Sequence, residues 1–98
     1  MSANLYPTLG TFFPEGDGFT GVITTPVYQG RMELRPRGHG DGRLDAFIGS
    51  HKVGYARPRF PIAQAMKYEV VLDASLLPGR HRLVLVERNG WYGLYWQD

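Results

Sequence analysis

Leu9-Gly10-Thr11-Phe12-Phe13-Pro14-Glu15-Gly16-Asp17-Gly18-Phe19-Thr20-Gly21-Val22-Ile23-Thr24-Thr25 is the stretch that decides the fold class. Two β-prone runs, 9–13 and 19–25, flank Asp17-Gly18. A tight reversal needs φ > 0, which glycine adopts without steric cost and Asp tolerates, so the stretch reads as one hairpin turning at Asp17-Gly18. Near the other end Asn89-Gly90 separates 80–88 from 91–96 and predicts a second tight hairpin.

Glycine and proline break the chain at the intervals of about 8–12 residues that mark all-β domains, and no window sustains a helical apolar repeat. Strands are expected over 9–13, 19–25, 29–37, 43–49, 52–57, 66–73, 80–88 and 91–96, with 61–65 as a single helical turn or a loop. Alternation assigns the faces. Met66, Tyr68, Val70 and Leu72 oppose Lys67, Glu69 and Asp73, and Met32 and Leu34 oppose Arg31, Glu33 and Arg35. Leu83, Val84, Leu85 and Val86 are apolar on both faces, which places that hairpin centrally, covered on both sides or closed into a barrel. Short strands whose edges must be hidden point to a small antiparallel barrel or a strongly twisted sandwich of about six to eight strands. Core positions are Tyr68, Val70, Leu72, Leu83 and Leu85.

Ninety-eight residues make a single domain, 1–98, with 1–8 as a loosely held N-terminal arm. The chain has no cysteine, which excludes disulfides, thiolate metal sites and cysteine nucleophiles. Met1-Ser2-Ala3-Asn4-Leu5-Tyr6-Pro7 lacks the basic and apolar regions of a secretion signal, and a cytoplasmic location is expected. The net charge of +2 is unevenly spread: −2 over 1–30, +4 over 31–60, where seven cations meet three anions, and 0 over 61–98.

The Leu9-Gly10-Thr11-Phe12 and Asp17-Gly18-Phe19-Thr20-Gly21-Val22-Ile23 segments resemble the opening of the small bacterial proteins grouped as domain of unknown function 736. That opening reads Ile-Gly-x-Phe, a spacer, then Asp-Gly-Phe-x-Gly-x-Ile. The resemblance resumes at Tyr68-Glu69-Val70-Val71-Leu72-Asp73, Pro78, 82–87 and Leu94-Tyr95-Trp96, so it covers about half the chain in two blocks. The middle, Leu44-Asp45-Ala46-Phe47-Ile48-Gly49 and Val53-Gly54-Tyr55-Ala56, matches only loosely. The resemblance implies a setting on plasmids and integrative conjugative elements and carries no activity over to any residue.

Catalytic constellations are weak. His39, His51 and His81 fit neither a helical metal pair nor a zinc signature, and no cofactor is implied. His39 and Asp41 lie in a Gly-rich loop that holds ligand geometry poorly, and Gly49-Ser50-His51 has neither a nucleophile elbow nor an orienting acid. A hydrolase using His39 or His51 is the weakest reading, and a non-enzymatic protein is expected.

Basic residues among aromatics are the remaining signal. Arg31, Arg35 and Arg37 share one parity, and Arg57 and Arg59 share another beside Tyr55 and Phe60, with Arg43 in the loop between. Same-parity residues project to one face at steps of about 6.6 Å per two residues. A positive face with ring platforms suits single-stranded nucleic acid through phosphate neutralisation and base stacking. The acids Glu33, Asp41 and Asp45 interrupt it, so a solvated sheet face is the alternative. The expected function is a binding module, an accessory of a mobile element. Its partner is either nucleic acid or a protein complex, such as a conjugation or host-defence assembly that it inhibits, held by the same arginines and the aromatic anchors among Trp91, Tyr92, Tyr95 and Trp96.

Overall fold

The computed structural model describes residues 8–38, 40–59, 67–79 and 82–96. Eight strands follow one another in the chain: β1 (Gly10–Glu15), β2 (Gly18–Thr25), β3 (Tyr28–Pro36), β4 (Leu44–Ile48), β5 (His51–Arg59), β6 (Lys67–Leu72), β7 (Leu83–Glu87) and β8 (Tyr92–Trp96). Each pairs antiparallel with the next, and β8 returns to β1 through Gly10↔Leu94, Thr11↔Gly93 and Phe12↔Tyr92, closing a barrel. The Leu9 N–H adds a 2.8 Å bond to the Leu94 carbonyl at the seam. Closure leaves no strand edge unpaired, and it decides between the barrel and the sandwich in favour of the barrel. No described residue is helical, so no helix among them is long and apolar enough to cross a membrane.

Period-two alternation sends one side of every strand inward. Phe12, Phe19, Ile23, Met32, Leu34, Leu44, Ala46, Ala56, Val70, Leu83, Leu85 and Leu94 are buried together and fill the interior. Tyr68 and Leu72, expected in the core with Val70, Leu83 and Leu85, are half-buried and pack against it from its ends. One end is stopped by Leu76 and Leu77, whose N–H groups each donate to the Asp73 carbonyl at 2.9 Å in the β6–β7 connection. At the other end Phe19 meets Tyr68 edge-on at 5.6 Å and Tyr92 at 4.6 Å. Among the described residues the barrel interior is apolar and the charged side chains lie outside it.

The first hairpin turns one residue earlier than the sequence reading has it. Gly16 takes φ 59° while Asp17 stays at negative φ, and Glu15 pairs with Gly18. A single positive φ at the first turn position is the II′ pattern, which needs its glycine there. Gly18 lies inside β2 instead, where a Cβ would collide with the Leu34 carbonyl of β3. The last hairpin reverses at Asn89-Gly90 as expected, with Gly90 at φ 86° and the Arg88 N–H bonded to the Trp91 carbonyl at 2.6 Å. The β4–β5 register slips between Ala46 and Phe47, leaving Val53 as an extra residue on β5. The expected arm up to residue 7, the 61–65 segment and Met66 lie outside the described residues.

Candidate nucleic-acid interface

Of the candidate residues, Arg31 and Arg35 sit on the outward side of β3 and Tyr55, Arg57 and Arg59 on that of β5, in rows fixed by strand register. Arg35, Asp45, Tyr55 and Val71 stand side by side in one row across β3, β4, β5 and β6. The next row is Arg57, Glu69 and Val84.

Near β3 and β4 the positive charge is largely cancelled. The Arg35 guanidinium donates to Glu33 Oε1 through Nη2 at 2.6 Å and Nε at 2.9 Å, and to the Gly49 carbonyl at 3.3 Å. It also lies 4.5 Å from the Phe47 ring centroid, a cation–π contact. Arg37 falls just past the end of β3 and donates to Asp45 at 3.1 Å, while Lys52 reaches the same carboxylate at 3.2 Å. Burial pushes the Asp45 carboxyl up, but the hydrogen bonds and charges of Arg37 and Lys52 outweigh it and hold the group below its ordinary value. Arg43 pairs with Asp41 at 3.7 Å in the exposed loop between β3 and β4.

Around β5 the balance differs. Tyr55, Arg57 and Arg59 face outward from one strand at steps of about 6.6 Å. Arg57 donates to Glu69 at 2.9 Å through both Nε and Nη2. Arg59 and Arg82 are exposed and form no salt bridge among the described residues. Arg57, Pro58, Arg59, Glu69 and Arg82 line one open groove of about 520 Å³, with three guanidinium groups around a single carboxylate. Arg82 was not singled out in the sequence. Its signal is parity with Val84 on β7, which shows its value only once β6 is known to lie between β5 and β7.

Arg31 is brought to a different place. It faces outward beside Val22 of β2, two strands from Tyr55, and lines a hollow with Thr11, Phe13, Thr20, Gly21 and Val22. Phe60 and His39 lie outside the described residues, as does His81. Tyr92 and Trp96 turn toward the core, and Tyr95 lies outside under the Arg88 guanidinium, 4.9 Å from the ring centroid.

Two other places bear on chemistry. The barrel mouth holds a cavity of about 350 Å³ between Tyr68, Leu44, Pro36 and the Gly38, Gly40 and Gly42 loop, whose glycines all have positive φ. Burial raises the Tyr68 phenol above its ordinary value; burial first, then the charges of Glu87 and Tyr68, raises that of Tyr92. Ser50 and His51 are exposed at the β4–β5 turn. Among the described residues no cluster of three or more His, Asp or Glu side chains is arranged to hold a metal ion. Comparison of the chain with family models, with curated proteins and with solved structures finds no match.

Proposed function

We propose that this chain is a non-enzymatic binding module that holds single-stranded nucleic acid along the outer face of β5. The observation that carries the reading is the convergence of Arg57, Arg59 and Arg82 on one open groove whose single carboxylate, Glu69, is already bonded to Arg57. Planar guanidinium forks suit phosphate oxygens, and two of the three are free of intramolecular salt bridges among the described residues, so a phosphodiester displaces water rather than a carboxylate. Tyr55, half-buried and two residues before Arg57 on the same face, is the stacking platform. Arg35, Arg37 and Arg43 contribute less, because Glu33, Asp45 and Asp41 occupy them. The resemblance of the two end blocks to domain of unknown function 736 adds the setting, an accessory of a conjugative element.

Fluorescence anisotropy with a labelled strand of about 16 nucleotides, the upper end of what one small nucleic-acid-binding barrel covers, tests the reading. At ~50 mM salt and micromolar protein, R59Q/R82Q is expected to weaken binding about tenfold or more, and R35Q/R37Q to leave it within about twofold. No binding by the wild type under these conditions overturns it.

A further inference from the structure

We propose that the outer face of β1 and β2 is a self-association surface that pairs with the same face of a second copy of this chain. Phe13 and Val22 are 52% and 55% exposed there, whereas the outer faces of β3, β5 and β6 carry the ion pairs Glu33–Arg35 and Arg57–Glu69. With Thr11, Thr20, Gly21 and Arg31 they border a shallow hollow of about 340 Å³. Register sets Phe13 beside Thr20, and Val22 between Thr11 and Arg31. Glu15 stands two residues beyond Phe13 on the same side of β1. Glu15 and Arg31 are both exposed, and neither forms a salt bridge among the described residues.

The patch complements itself. Strands lie about 4.8 Å apart and same-face residues about 6.6 Å apart along a strand. Arg31 is therefore two strands across and two such steps along from Glu15, and the midpoint between them falls on Thr20. A two-fold axis lying in the interface through Thr20, perpendicular to that line, sets Arg31 of one copy on Glu15 of the other. The same rotation carries Phe13 into the space between Val22 and Thr11 of the second copy. One operation thus satisfies both the charges and the apolar groups, as an isologous interface requires, and a partner of different sequence has no such constraint to meet. Barrel closure leaves no free edge for strand addition, so pairing is face to face. The patch spans three strands by about 13 Å, well short of the roughly 800 Å² per partner of a standard interface, so the association is weak, with a dissociation constant on the order of 100 µM.

Sedimentation velocity from ~10 µM to ~1 mM tests this range. The wild type is expected to move from 11.1 kDa toward twice that mass as concentration rises. V22E, at an exposed site, stays monomeric with an unchanged far-UV spectrum and melting temperature. R31E and E15R each break both symmetric ion pairs and raise the dissociation constant about fivefold or more, while R31E/E15R together return it to within about twofold of wild type. A wild type that remains monomeric at ~1 mM, association that survives V22E, or a double variant no better than the single ones overturns the proposal.

Discussion

Leu85→Ala is the perturbation that probes the barrel most directly. Leu85 is fully buried, 0% exposed, and lies between Tyr68 of β6 and Leu94 of β8 in the pairing register. Truncation removes three carbons, about 2.4 kcal/mol of transfer free energy at ~0.8 kcal/mol each. A closed, hydrogen-bonded wall cannot collapse onto the vacancy as an open sheet can, so a cavity penalty adds and the expected loss is about 3–4 kcal/mol. Small domains have net stabilities of about 5–15 kcal/mol, so the variant still folds, and its Tm falls by roughly 12–30 °C. Urea unfolding followed by tryptophan fluorescence reads the change as a lower midpoint at constant slope. Val22→Ala, at a 55% exposed position, is the control and is expected to change stability by less than about 0.5 kcal/mol. A loss below about 0.5 kcal/mol for Leu85→Ala would refute the inward assignment of β7 and with it the barrel core.

Asp45→Asn should cost roughly 1 kcal/mol at pH 7 by removing the shared partner of Arg37 and Lys52. The Asp45 pKa is lowered in the folded protein from 3.8, so its contribution is fully present above that value and is lost as pH falls through the lower folded value; melts of the two proteins should differ at pH 7 and draw together as the solution is acidified below pH 3.8. Gly54→Ala should destabilise by about 1–3 kcal/mol, because a Cβ there meets the Val71 carbonyl of β6, a backbone atom that cannot turn aside; a chemical melt unchanged from wild type would contradict the β5–β6 register.

All eight strands were legible from alternation and turn chemistry, because a half-buried strand must alternate and a tight turn must accommodate positive φ. Boundaries were less so. At Gly16-Asp17-Gly18 two glycines compete for the turn, and only the pairing of Glu15 with Gly18, together with the close pass of Gly18 to the Leu34 carbonyl, shows that Gly16 makes the turn. The Leu76-Leu77 stopper went unread although two adjacent leucines between Ser75 and Pro78 are a signal: an apolar pair in a turn must find a core to enter. Parity correctly pointed the arginines outward. It carries no cross-strand information, so it could not show that Asp45 stands between Arg35 and Tyr55, that Arg31 belongs with Phe13 and Val22, or that Arg82 completes the groove of Arg57 and Arg59.

Arg59 and Arg82, free of salt bridges among the described residues, are the groups expected to neutralise phosphates, and the salt dependence of binding counts them. For a single strand the slope of log affinity against log salt is about −0.7 per neutralised phosphate, so Arg59 and Arg82 together give about −1.4 for the wild type and their loss leaves a slope near zero for R59Q/R82Q. Anisotropy titrations of the same oligonucleotide across ~20–200 mM salt measure both slopes. The wild type is expected to show the steep slope and the variant the shallow one; a slope that R59Q/R82Q leaves unchanged, or a wild-type affinity indifferent to salt, contradicts phosphate neutralisation at Arg59 and Arg82.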